Sequence, residues 1–240
     1  MSQIQINRHI DQINRYLDHA VLKPELTHTE AIDAIKLGVE YKVRTVCVRP
    51  CDIELALDLC AGSETDVCCV LGFPHGVLPA VLKAEEAKHY VTLGVKEIDM
   101  VVNYSYIRSA LWKEVEEDIQ AVHAITSPAG VVLKVILETS MLTLDQITQA
   151  TTSAQRVGAD FVKTSTGFNG PGATEEAVTA MLEAAQGKIK VKASGGVRDT
   201  QKALRFIAMG CQRLGVNYTS TAAICDGITE ESTSTPTHEY

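Results

Sequence analysis

No stretch of this 240-residue chain is apolar for long enough to cross a bilayer. The opening residues are broken by Arg8, Asp11 and Arg15 and lack the apolar core of a secretory signal, so cytoplasmic residence is expected. Positive charge is in short supply. A net charge of -8 and a pI near 5.4 exclude a general attraction to nucleic acid or to an anionic membrane, and leave room only for a local anion site. The seven cysteines (Cys47, Cys51, Cys60, Cys68, Cys69, Cys211 and Cys225) form no CxxC framework and have no histidines at zinc-site spacing. Buried free thiols are expected, and no metal. No GxGxxG or P-loop follows a strand, which disfavours dinucleotide and ATP chemistry. No linker, low-complexity segment or charge block divides the chain before about Gly227. Residues 1–228 therefore read as one domain, and the Ser/Thr/Glu/Pro-rich residues 229–240 as a flexible tail.

What is present is a globular balance, 45% hydrophobic and 22% charged, with one short motif repeated. Valine- and isoleucine-rich runs at 17–22, 45–48, 67–73, 97–102, 131–137, 161–163, 189–193 and 213–216 read as strands. Segments 29–41, 78–93, 106–126, 144–157, 174–185 and 200–209 carry apolar residues at three- and four-residue steps and read as amphipathic helices. Thr27 or Thr29 near Glu30, Thr143, and Thr174 before Glu175 and Glu176 are helix caps. Leu93-Gly94, Val157-Gly158 and Met209-Gly210 are glycine stops that turn a helix into the next strand. Strands alternating with helices predict a parallel α/β sheet, and roughly eight of them suit closure into a (β/α)8 TIM barrel.

In such a barrel the chemistry sits where strands end. Lys163 ends the sixth strand and Lys192 the seventh; Asp99 lies in the fourth, Lys134 and Glu138 in the fifth. A lysine in an apolar strand must be offset, and an ion pair with a carboxylate such as Asp99 is the plain structural explanation. Two strand-end lysines on adjacent strands suggest more. A neighbouring cation together with desolvation raises the neutral, nucleophilic fraction of an amine, and an amine with a carbonyl forms a Schiff base. Its protonated form is an electron sink for making or breaking an adjacent C–C bond, and Asp99 can shuttle protons if the fold brings it within hydrogen-bond reach. Physics alone leaves open which lysine is the nucleophile. Thr164-Ser165-Thr166-Gly167 and Ser194-Gly195-Gly196 place hydroxyls and unhindered N–H groups after late strands, where barrels commonly bind phosphate. His75 reads as a solvated loop histidine, and Cys47 as an inert buried cysteine rather than a reactive thiol. Asp18 and His19 are expected to end the first strand early, as polar groups at the barrel mouth.

Seven segments, in order, resemble the deoxyribose-phosphate aldolase family: LDHAVLKP from Leu17, VCVRP from Val46, VLGFPHG from Val70, EIDMVVN from Glu97, LKVILET from Leu133, ADFVKTSTGF from Ala159 and VKASGGVRD from Val191. The resemblance implies a metal-free class I aldolase needing no cofactor, acting on small aldehydes and a sugar phosphate. It assigns Lys163 as Schiff-base nucleophile, Asp99 as proton shuttle and Lys192 as the cation that perturbs Lys163. It places Asp18, Cys47, Thr166, Gly167, Gly195, Gly196, Val216 and Asn217 around the substrate, and gives the terminal Tyr240 a role in proton transfer. Two positions depart from the family: Ala20 replaces a usual threonine, and Gly215-Val216-Asn217-Tyr218-Thr219-Ser220 replaces a turn usually like GTSSG. The second change removes phosphate-binding serines and leaves open a nonphosphorylated acceptor. A transaldolase-like enzyme or a catalytically silent sugar-phosphate-binding barrel are the competing readings. A homodimer is ordinary for a soluble barrel, although nothing in the sequence fixes an interface.

Overall fold

Eight short strands pair in chain order and the eighth returns to the first, closing a parallel barrel. The computed structural model describes residues 12–227. The strands are β1 (Leu17–Val21), β2 (Thr45–Val48), β3 (Asp66–Leu71), β4 (Glu97–Val101), β5 (Val132–Ile136), β6 (Phe161–Lys163), β7 (Lys190–Ser194) and β8 (Arg213–Asn217). Around them run α1 (His28–Glu40), α2 (Ile53–Cys60), α3 (Ala80–Leu93), α4 (Tyr104–Arg108), α5 (Trp112–Thr126), α6 (Leu144–Val157), α7 (Glu175–Ala185), α8 (Thr200–Met209) and α9 (Thr221–Cys225). Among the described residues, no helix is long and apolar enough to cross a membrane.

Local chemistry sets several boundaries. Thr27 opens α1 through a reciprocal capping box with Glu30, and Thr143 opens α6 the same way with Gln146. Gly94, Gly158 and Gly210 close α3, α6 and α8 in the left-handed region, as their sequence context predicts. The predicted helix 106–126 is two helices. Ala110 takes a φ of 53°, and the Leu111 N–H bonds back to the Tyr106 carbonyl at 2.9 Å, so the chain turns before α5 begins. Helix α2 is additional to the sequence reading, and β7 runs one residue later than expected.

Alternation along each strand separates two interiors. Leu17, Val46, Val48, Ile98, Met100, Leu133, Val135, Val162, Val191 and Leu214 face outward and form one apolar cluster with the helices. Burying that layer is the main drive for folding. The inner wall is different. Asp18, Thr45, Glu97, Asp99, Lys134, Lys163, Lys192 and Arg213 meet inside the barrel, where side chains in this fold are more often branched and apolar. The expected early end of β1 is corrected here: the strand runs through both polar residues to Val21. Asp18 faces in, whereas His19 faces out, its ring nitrogens 2.8 Å from the Ala34 carbonyl and the Thr221 hydroxyl. With both nitrogens partnered by the outer layer, the ring has no reason to reach the mouth.

Candidate active site

The carboxyl ends of the strands open into a cavity of about 400 Å³. Asp18, Cys47, Lys163, Thr166, Gly167, Lys192, Gly195, Gly196, Val216 and Asn217 all line it, so residues from five strands and the loops after them converge on one chamber. Sequence reasoning passed over Lys23, Arg198, Thr219 and Ser220, which also line it. The two cations carry no local signature, since surface lysines and arginines are common in loops. His75 lies exposed in its loop. Tyr240 lies outside the described residues.

Asp99 sits beneath the chamber floor and organises the amines. Its Oδ2 accepts from Lys163 Nζ at 2.7 Å and from Lys192 Nζ at 2.6 Å, while Oδ1 accepts from Lys134 Nζ at 2.8 Å. All four groups are buried. Burial opposes the charge on Asp99, but three surrounding ammonium groups overcome it and hold the carboxyl well below the usual carboxylate range. Asp18 is lowered for the same reason, with Lys134, Lys192 and Arg213 outweighing burial. In turn burial opposes the charge on Lys134 and Lys192, yet the carboxylates raise both and keep them cationic. The ion pair that would merely compensate a strand lysine is therefore present, but as part of a larger array.

The array has layers. Arg213 donates to Asp18 at 2.6 Å and to Glu97 at 2.8 Å, and Lys134 also contacts Glu97 at 2.5 Å. Lys192 pairs with Asp18 as well as Asp99. Carboxylates Asp18, Glu97 and Asp99 thus face Lys134, Lys163, Lys192 and Arg213, leaving one positive charge in excess when every group is ionised. Among the described residues Lys163 has the fewest anionic partners of the three lysines, Asp99 alone, and it lines the chamber together with Lys192, whereas Lys134 does not.

Two further arrangements shape the loops. Glu138 is fully buried just beyond β5, with φ 57° and ψ 62°. Its carboxylate accepts from the Thr166 N–H at 3.2 Å, the Thr166 hydroxyl at 2.5 Å and Asn169 Nδ2 at 3.0 Å, tying down the loop that follows Lys163. Gly195 and Gly196, which both line the chamber, have φ of 87° and 72°, a backbone conformation that glycine takes without strain. A Cβ on Gly172 would stand 2.2 Å from the Gly195 carbonyl, and only bare backbone fits where these loops cross. Ala173 N–H then bonds the Ser194 and Gly195 carbonyls at 3.0 and 3.1 Å.

Two ammonium groups held on one buried carboxylate below a glycine-rich mouth, at the carboxyl ends of a closed parallel barrel, have the form of an enzyme site. Comparison with known proteins gives the family. The model of the DeoC/LacD family aldolases matches residues 18–217. The deoxyribose-phosphate aldolase of Mannheimia succiniciproducens is 40% identical over 93% of this chain and 98% of its own. That of Natranaerobius thermophilus is 41% identical over 87% and 94%. A solved structure described as QR15, an aldolase, superposes with a TM-score of 0.83 at 37% identity, covering 89% of this chain and 94% of that one. The chain belongs to the DeoC/LacD aldolase family, and it is a lyase.

Proposed function

We propose that the enzyme reversibly cleaves 2-deoxy-D-ribose 5-phosphate into acetaldehyde and D-glyceraldehyde 3-phosphate through a Schiff base on Lys163. The observation that carries this reading is the single carboxylate oxygen of Asp99 shared by Lys163 and Lys192, 2.7 and 2.6 Å away, at the floor of the chamber. The Lys163 amine adds to the substrate carbonyl, and loss of water gives the iminium. That iminium accepts the electrons of the breaking C–C bond, and an enamine of acetaldehyde is left on the lysine. Asp99 orients the amine and relays protons among the amine, the carbinolamine and water, while Lys192 supplies a fixed positive charge beside the reacting nitrogen.

The mouth supports a phosphorylated substrate. Gly195 and Gly196 offer backbone donors, and Lys23, Arg198, Thr219 and Ser220 line the same cavity. The hydroxyls and cations stand in for the serines missing from the β8 turn, where Asn217 is instead engaged by the Thr219 N–H and hydroxyl. The decisive test is to incubate the protein with acetaldehyde and borohydride and map the reduced adduct by mass spectrometry. An ethyl group on Lys163 is expected; an adduct on another lysine, or none, refutes the mechanism. Rates with 2-deoxyribose 5-phosphate and 2-deoxyribose, compared in the presence of EDTA, test the phosphate site. Equal kcat/KM for the two sugars would favour a nonphosphorylated acceptor.

A further inference from the structure

The reaction above leaves unused two thiols in the chamber wall. Cys47 on β2 and Cys68 on β3 are paired in register across adjacent strands, and both point into the barrel. Their sulfurs and a carboxylate oxygen of Asp99 all lie within 4.8 Å of one another. Cys47 lines the catalytic cavity. Cys68 lies fully buried behind it, its Sγ 3.3 Å from Asp99 Oδ1 and 3.4 Å from Lys134 Nζ. We propose that Cys47 and Cys68 form a peroxide-responsive dithiol, which closes to a disulfide and reversibly switches off the aldolase site.

The surroundings select this pair. Cys69 faces the outer apolar layer, and Cys51 is exposed in a loop. Burial pushes the Cys68 and Cys69 thiols up, whereas a hydrogen bond from Cys68 lowers that of Cys47, so Cys47 is the sulfur that reacts first. A divalent cation is the poorer occupant for the same three donors, because the Lys134 ammonium already contacts two of them.

The chemistry balances with a hydroperoxide as oxidant. The Cys47 thiolate attacks one peroxide oxygen, forming an S–O bond and breaking the O–O bond; the departing oxygen takes a proton and leaves as water. Cys68 then attacks the Cys47 sulfur. Its proton passes to the neighbouring Asp99 oxygen and on to the expelled hydroxide, which leaves as a second water. Two thiols lose two electrons, and the peroxide gains them. Adjacent strands stand about 4.8 Å apart, whereas a relaxed disulfide brings its Cβ atoms to about 3.8 Å. Closure therefore strains the wall and favours ready reduction by small thiols. It also withdraws the Cys68 sulfur from Asp99 and Lys134, disturbing the oxygen atoms that position Lys163. The bond itself depends only on the thiol pair, while its effect on activity rests on the Lys163 reading.

The full-length protein is treated with a few equivalents of hydrogen peroxide, alkylated, digested without reductant and mapped by mass spectrometry, with the retro-aldol rate followed in parallel. A Cys47–Cys68 cross-linked peptide is expected, with a loss of rate on the order of 10²-fold, typical when catalytic groups are displaced. Dithiothreitol should restore the rate. In Cys68→Ala, normalised to its own untreated rate, Cys47 should proceed to the sulfinic acid and the loss should resist dithiothreitol. The proposal is overturned if both thiols remain free to alkylate while other cysteines oxidise, or if the cross-link forms and the rate persists. The wild-type peptide map decides the first point even if the variant does not fold. Borohydride trapping on untreated protein separates failure of the lysine assignment from failure of the dithiol.

Discussion

Replacing Lys83 by methionine tests how far buried charge outside the chamber supports the fold. Lys83 on α3 and Asp118 on α5 are 0% and 2% exposed, with Nζ 2.7 Å from Oδ2. Lys83 also donates to the Val101 carbonyl at 2.9 Å, and Asp118 accepts from the Asn103 N–H at 2.9 Å. The pair thus fixes the end of β4 and the start of the loop beyond it. Burial pulls Lys83 down and pushes Asp118 up, so each charge depends on the other. Lys83→Met leaves a buried carboxylate unpaired and should cost about 3–5 kcal/mol. For a chain of this size that lowers Tm by roughly 6–20 °C. Urea unfolding gives the free energy, and its dependence on pH tests the cause. In the variant Asp118 titrates further above its unfolded value of 3.8, so the folded state binds a proton that the unfolded state has released. The deficit relative to wild type should be smallest below about pH 4, where only the lost bond to the Val101 carbonyl remains, and grow as pH rises toward neutrality. Adding Asp118→Leu should recover part of the loss, while the Val101 carbonyl and Asn103 N–H remain unpartnered at about 1–3 kcal/mol each. A Lys83→Met variant within about 1 kcal/mol of wild type, or a cost that ignores pH, would refute the reasoning.

Three other outcomes are expected. Lys192→Leu removes one of the two ammonium groups held on the same Asp99 oxygen, so kcat for the retro-aldol reaction should fall about 10²-fold with less change in KM; an unchanged kcat in steady-state kinetics would contradict a role for the fixed charge. Glu138→Gln keeps the shape but turns a pure acceptor into a partial donor facing Thr166 and Asn169; KM for the phosphorylated substrate should rise about tenfold with less change in kcat, as steady-state kinetics would report. His19 is lowered from 6.5 to about 4, chiefly by burial against a hydrogen bond to Ala34. The unfolded chain therefore takes up a proton between those values that the fold refuses, and about 3 kcal/mol of stability present above pH 6.5 is lost as pH falls toward 4. Urea midpoints for His19→Gln should be flatter across that window than those of wild type.

The repeated strand–helix pattern made most of the barrel legible. Short runs such as Thr45–Val48 and Phe161–Lys163 could be bounded because charged or glycine-containing segments flank them. The break before Trp112 was hidden, since a left-handed alanine at 110 leaves no trace in hydrophobic spacing. Ile53–Cys60 passed unnoticed as a helix because two turns are too few for periodicity to stand out. At the site, Lys163, Asp99 and Lys192 stood out as charges inside apolar runs. Glu97 and Arg213 sit at strand starts and look like ordinary surface charges until closure brings β4, β8 and β1 together around Asp18. Asp18 stands out as a site residue, but its partners are not legible, because they come from β2, β5, β7 and β8.

The crossing of Gly172 over Gly195 constrains how this enzyme can be altered. Two segments separated in the chain share one backbone contact with no side chain between them, and neighbouring amide hydrogen bonds lock it. Neither segment can be exchanged for a relative's version alone without losing the fit of the other. Libraries aimed at new acceptors should transplant both together or leave the pair untouched, and vary lining residues after β1 such as Leu22 instead.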